Sequence, residues 1–114
     1  MTTIAAISTP PAQGGIAMIR VSGENAIEIS EHMFCAYQNK KPSAMAGYTC
    51  AYGYIVYKSE RIDDVVLTVF RAPHSYTGED TVEITCHGGI YLTKKNPIML
   101  TSYCLKDLIN YYHL

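Results

Sequence analysis

Apolar positions along this chain gather into short runs separated by turn residues, a pattern that predicts strands more often than helices. Ile4-Ala-Ala-Ile7 is apolar and stops at Thr9-Pro-Pro11, which predicts a first strand. Ile16 to Ser22 is apolar on both parities, as expected of a strand covered on two faces, and Arg20 is its only charge. Gly23 to Phe34 changes period: Ala26, Ile27, Ile29, Met33 and Phe34 share one broad helical arc, with Glu24, Glu28 and Glu31 opposite. Ser22 is the expected N-cap, and Glu24 falls in the first turn, where the helix dipole favours an anion. A polar connection follows at Asn39 to Ser43.

Gly47 to Tyr57 is rich in Tyr and β-branched residues. The polar turn Lys58-Ser-Glu-Arg61 leads into Ile62 to Phe70, so the two runs predict a hairpin, with Val65 to Phe70 central in the sheet. In Thr81 to Cys86, Val82, Ile84 and Cys86 share one face, and Thr81, Glu83 and Thr85 the other. A helix is expected after His87-Gly-Gly89, broken early by Asn96-Pro97. From Ile98 the chain is apolar and Tyr-rich, helical in composition but without a clean amphipathic stripe. The sum is an α+β fold: a mixed sheet of about five strands with two to three helices.

Composition narrows the function classes. A chain of 114 residues is one domain's worth, and 48% hydrophobic against 17% charged residues argues against disorder and for burial against a partner. A net charge of -1 gives no electrostatic basis for autonomous nucleic-acid binding. Cys35, Cys50, Cys86 and Cys104 lack any zinc-ligand spacing, so free thiols in a reducing cytoplasm are expected. The N-terminus has no basic leader region and no apolar run approaches a membrane span.

Two charges stand out chemically. Arg20 and Glu83 are lone ionisable groups in otherwise uncharged strands. They form a structural ion pair or reach water at strand ends, or else they face a cleft and hold a polar ligand. In the second case the carboxylate accepts two parallel hydrogen bonds from a guanidine-like edge such as a pterin's, and the arginine forks onto a carboxylate. Spacing alone does not choose between these.

Other constellations read as structure. His87-Gly-Gly89 suits tight strand-to-helix packing better than an anion site. Cys86 and His87 point to opposite faces of a strand and do not cooperate as nucleophile and base. Asp63 and Asp64 diverge likewise and read as a solvated strand start rather than metal ligands. Tyr48, Tyr52, Tyr54 and Tyr57 lack interleaved basic residues, so sheet-surface or interface packing is expected of them. No phosphate-binding loop, dinucleotide fingerprint, nucleophile elbow or histidine cluster is present, so no catalytic residue is assigned to this chain.

Two longer segments carry a family likeness. Thr9-Pro-Pro-Ala-Gln-Gly-Gly-Ile-Ala-Met-Ile-Arg-Val-Ser-Gly23 resembles the N-terminal signature of the tRNA-modification GTPase family MnmE (TrmE), with Ala12 in place of the usual Gly. Ala72 to Gly89, with Pro-His-Ser-Tyr-Thr-Gly-Glu-Asp at its start and His-Gly-Gly at its end, resembles that family's second signature. The resemblance covers roughly residues 3 to 95, in register through Ile62-Asp-Asp-Val65.

The resemblance implies a tetrahydrofolate-binding domain related in fold to the glycine-cleavage T-protein. The ligand would be 5-formyl- or 5,10-methylene-tetrahydrofolate, bound near the interface of a constitutive homodimer. Arg20 and Glu83 align with the family's folate-contacting arginine and glutamate. The folate supplies a one-carbon unit for modifying the wobble uridine (position 34) of certain tRNAs. An MnmG (GidA)-like flavoprotein is the partner, and tRNA is engaged only through the full-length complex.

The GTPase and helical domains of the family, and a basic folate contact in a downstream segment, are expected to have no counterpart in this sequence. From Asn96 the likeness is expected to end. Residues 1–95 are read as the folate-binding domain and 96–114 as a divergent tail left by a frameshift or truncation. Two other readings remain: a purely structural dimerisation module with an incomplete folate site, and a T-protein-like aminomethyltransferase fragment.

Overall fold

The computed structural model describes residues 3–8, 16–87 and 97–112. Six strands, β1 (Ile4–Ile7), β2 (Ile16–Ser22), β3 (Phe34–Ala36), β4 (Thr49–Tyr57), β5 (Glu60–Phe70) and β6 (Thr81–His87), join two helices, α1 (Ala26–Glu31) and α2 (Pro97–Tyr112). They form a single sheet in the order β1-β2-β6-β5-β4-β3, and every neighbouring pair is antiparallel. The α+β class holds. The sheet, however, is six-stranded and wholly antiparallel rather than mixed with about five strands. The sequence pattern predicts strands but not the direction in which β2 and β6, far apart in the chain, meet.

The extra strand comes from the end of the expected helix. The apolar arc of Gly23 to Phe34 continues past the point where the helix stops, because Met33 and Phe34 are buried against the sheet instead. Phe34 pairs with Ile55, and its ring occupies a slot opened by Gly53, where a Cβ would lie 2.7 Å from the ring and 2.2 Å from the Cys35 carbonyl oxygen. The Val56 amide donates to the Met33 carbonyl at 2.8 Å, beside an irregularity in the β4–β5 register between Ile55 and Val56.

The helix also starts later than expected. Gly23 has φ +140, and a Cβ there would meet the Thr3 Cα at 2.5 Å, so the chain turns sharply before α1. Asn25, not Ser22, is the N-cap and makes no side-chain capping bond, although its amide donates to Thr3 Oγ1 at 3.2 Å. Ser22 belongs to β2, and Glu28 rather than Glu24 sits in the first turn.

One face of the sheet is the core. Ile19, Val21, Val65, Leu67, Val69, Val82 and Ile84 are buried there, beneath Ile29 of α1 and Leu105 of α2. The expectation that β2 is covered on both faces is corrected: Ile16 is 70% exposed, and burial along the strand alternates. Both helices pack on the same side, so among the described residues no helix covers the other, open face.

Helix α2 begins at Pro97, the residue expected to break a helix, because the first helical position needs no amide donor. The helix expected directly after Gly89 lies outside the described residues. α2 buries Ile98, Thr101, Ser102, Leu105 and Ile109 at three- and four-residue steps. A stripe is therefore present, but two of its members are hydroxyl residues, which hid it from a hydrophobicity reading.

Candidate functional site

The register of β2 and β6 sets Arg20 directly opposite Glu83. Both side chains project from the open face, since their neighbours Ile19, Val21, Val82 and Ile84 fill the core side. Arg20 Nε and Nη2 donate to Glu83 Oε2 at 3.0 and 2.6 Å. The pair is only partly covered, with side-chain exposures of 31% and 15%. Both bonds end on one carboxylate oxygen, and Oε1 makes no hydrogen bond to the described residues.

The loop from Arg71 to Asp80 stands over this pair. Each part of Thr77-Gly-Glu-Asp80 has a local task. Thr77 Oγ1 and Ser22 Oγ lie 2.7 Å apart and tie the loop to β2, while Gly78 takes φ +78 at the turn. The Glu79 carbonyl accepts from Ser75 Oγ. Asp80 Oδ1 accepts the Ala72 amide at 2.9 Å and thereby closes the loop base, and its carbonyl accepts the Gly23 amide at 3.0 Å. Arg71 anchors the start of the loop, donating to the Met45 carbonyl at 3.0 and 2.8 Å and to the Ser43 carbonyl at 3.0 Å. The fastened loop holds Tyr76 with its ring 4.9 Å from the Arg20 guanidinium carbon, a cation–π contact.

Beside the ion pair lies a cleft of about 460 Å³ lined by Tyr48, Phe70, Pro73, His74, Ser75 and Tyr76. Tyr48 and Phe70 meet edge to face, with centroids 5.8 Å apart. Tyr48 has φ 63, a sparsely populated conformation for an aromatic residue. Chemically, the arrangement offers a carboxylate whose Oε1 has no hydrogen bond among the described residues, a guanidinium beside it and an aromatic recess next door. Such a constellation recognises a flat, polar-edged molecule.

Cys86 is buried in the core, and desolvation, with a smaller contribution from Asp63, pushes its thiol up to about 12. A thiol held protonated is a poor nucleophile. Cys35 and Cys50 are exposed and all four cysteines are free. Asp64 accepts from the Tyr37 hydroxyl at 2.8 Å and from Arg61 Nη2 at 2.7 Å, and among the described residues no group of three His, Cys, Asp or Glu side chains could hold a metal.

Sequence reasoning missed two clusters. Arg61 comes from across the β4–β5 hairpin to lie 4.1 Å over the Tyr54 ring, and Tyr37 packs against Tyr52 and Tyr54 at 5.1 and 5.4 Å. The recess between Tyr48 and Tyr76 was equally hidden, because those residues meet only once the loop folds back. The one available signal was Tyr76 itself, an aromatic inside a Ser, Thr and Gly turn. No helix among the described residues is long and apolar enough to cross a membrane.

Known proteins resemble the chain over most of its length. The family model described as GTP-binding protein TrmE N-terminus matches residues 3–106. A tRNA modification GTPase MnmE of Parabacteroides distasonis is 53% identical over 97 residues, covering 83% of this chain and 21% of the relative. The MnmE of Carboxydothermus hydrogenoformans is 50% identical over 95 residues, 82% of this chain and 21% of the relative. That of Clostridioides difficile is 45% identical over 93 residues, 82% of this chain and 20% of the relative. The chain thus spans about a fifth of the length of the curated relatives it matches.

Proposed function

The chain belongs to the family of GTP-binding protein TrmE N-termini, and on that premise we propose that it is the folate-binding, dimerising domain of a tRNA wobble-uridine modification system. The fold is then that of the family's folate-binding domain, related to the glycine-cleavage T-protein. The ligand is a tetrahydrofolate derivative carrying the one-carbon unit, 5-formyl- or 5,10-methylene-tetrahydrofolate. A second copy of the chain, an MnmG-like flavoprotein and, through the full-length complex, tRNA are the partners, in the cytoplasm.

The observation that carries this reading is the Arg20–Glu83 pair on the open face. The residues fit the ligand: Glu83 keeps Oε1 outside the ion pair, and Arg20 sits where it can share or release Oε2. A guanidine-like pterin edge needs both carboxylate oxygens for two parallel hydrogen bonds. Arg20 would rotate partly off Glu83 on binding and turn its fork toward an acceptor on the ligand. When bound, the folate supplies the one-carbon chemistry, and this chain's residues bind and orient it.

Calorimetric titration of the chain with 5-formyl-tetrahydrofolate tests the reading. Saturable binding is expected, weakened about 10- to 100-fold by Glu83→Gln, which loses a charge-assisted bidentate contact, and strongly reduced by Arg20→Ala. Binding unaffected by both substitutions overturns the site. No binding at all favours a dimerisation module with an incomplete folate site.

A further inference from the structure

The tyrosine and arginine cluster on the far half of the open face has no task in the reading above. Tyr52 of β4 lies two strands across and two residues along from Glu83, through the pairs Glu83–Thr68 and Thr68–Cys50. Strand spacing and rise make that about 12 Å. Tyr37 is bonded beside Tyr52, and its ring packs on those of Tyr52 and Tyr54 with centroids 5.1 and 5.4 Å away. The Arg61 guanidinium stands 4.1 Å over the Tyr54 ring and 5.6 Å over that of Tyr37, while its Nη2 donates to the Asp64 carboxylate and the Tyr37 hydroxyl. These contacts fix the group without burying it: Tyr37 is 48% exposed, Tyr52 56% and the Arg61 side chain 53%. Exposed rings and a guanidinium plane held in advance present a stacking surface at little further cost in conformational entropy.

Composition decides the occupant. At the β1–β2 end of the open face the large exposed side chains are aliphatic, Ile4 and Ile16, as suits a protein contact. Here they are aromatic and cationic, the combination on which unstacked bases rest. A groove of about 590 Å³, lined in part by Asn39, Lys40, Lys41 and Thr49, starts two residues beyond Tyr37 and three before Tyr52, and both lysines are exposed. The basic neighbours that the tyrosines lack in sequence are supplied by folding.

We propose that Tyr37, Tyr52 and Arg61 form a stacking platform for the unpaired bases of a single-stranded RNA, with Lys40 and Lys41 beside it for the phosphates. The assignment rests on the reading of Glu83 above and deepens it. A ligand held by Glu83 faces this side of the sheet, so the base to be modified approaches the same side, and the platform holds its unpaired neighbours. Duplex RNA, whose bases are already stacked on one another, gains nothing from such a surface. With a net charge of -1 the chain holds RNA by stacking rather than by its overall field, so binding is weak and only shallowly salt-dependent.

Fluorescence anisotropy tests the platform, with a short labelled oligouridine, alone or annealed to oligoadenosine, titrated with the chain in the absence of folate. The single strand should bind at least about tenfold more tightly than the duplex. Tyr37→Ala and Tyr52→Ala should each weaken it roughly 5- to 100-fold, whereas Tyr52→Phe, which keeps the ring, should match the parent. Arg61→Lys keeps the charge but loses the plane, and should weaken binding about threefold or more. Lys40→Ala should flatten the salt dependence by about 0.7 in log–log slope, one phosphate's share on a single strand. These substitutions change exposed side chains, and circular dichroism checks that each variant is folded. Equal affinity for single strand and duplex, no binding of either, or tyrosine variants that match the parent overturns the platform and leaves the Glu83 site to its own titration. Alanine variants that lose mass in light scattering while RNA binding is unchanged overturn it too, and assign the cluster to the contact between copies. Tyrosine-dependent RNA binding beside a failed folate titration removes the Glu83 reading alone, and the platform stands.

Discussion

At the scale of single residues, position relative to the sheet decides chemistry. Cys86 and Glu83 lie three apart on β6, yet one is a buried thiol pushed up to about 12 and the other a carboxylate on the open face. Burial stabilises the neutral thiol, so its contribution to stability is fully present below about pH 9 and is lost as pH rises through about 12. Thiol titration with a small disulfide reagent at pH 8 should therefore report two prompt equivalents, from exposed Cys35 and Cys50. Cys86 and Cys104 should react only on unfolding. Four prompt thiols in the folded chain would contradict the burial of β6 and α2. Alternation made the facing of Glu83 legible beforehand. Its partner was not legible, because nothing in the sequence near Glu83 names Arg20, which comes from 63 residues away.

At the scale of elements, the strands expected at β1, β2, β4, β5 and β6 form, while the edges of β4, β5 and β6 and the end of the first helix differ, for reasons tied to single side chains. The hairpin of β4 and β5 closes through Lys58 and Ser59, both at positive φ, as a two-residue turn does. The expected helix lost its last residues to β3 because Gly53 offers Phe34 a slot in the sheet. Helix α2 shows the converse, an amphipathic stripe concealed by Thr101 and Ser102. The Thr101 hydroxyl is buried and has no hydrogen-bond partner among the described residues. Thr101→Val keeps the shape and removes an unsatisfied polar group, so it should stabilise the fold by about 1 kcal/mol. Thermal denaturation should show a rise of roughly 4–8 °C in Tm for that gain in a domain of this size. An unchanged or lowered Tm would mean that the hydroxyl has a role in packing α2 on the sheet.

At the scale of the whole molecule, both helices cover one face of the sheet, and no helix among the described residues covers the other. Ile4, Ile16, Tyr52 and Val66 are exposed on that open face, with Tyr48 and Tyr76 nearby, although one-sided sheets in monomers are usually polar outside. Self-association is the expected remedy, and it agrees with the homodimer proposed from family membership. Size-exclusion chromatography with light scattering at micromolar concentration should give a dimer mass, or else the chain should be poorly soluble. A well-behaved monomer would count against the proposal.

The sequence alone determined the local grammar: which runs form strands, where Gly and Pro turn the chain, that Arg20 and Glu83 are out of place in their strands, and which family the motifs resemble. These follow from period, backbone freedom and composition, all of which are local properties. The tertiary structure decided the strand order, the two-residue extent of the β4–β5 turn and the one-sided placement of the helices. It also decided that Arg20 meets Glu83 under Tyr76 beside an aromatic cleft. Each of those depends on which distant segments pack together, and that is settled by burying Ile19, Val82, Leu67 and Leu105 in one core rather than by any stretch read on its own.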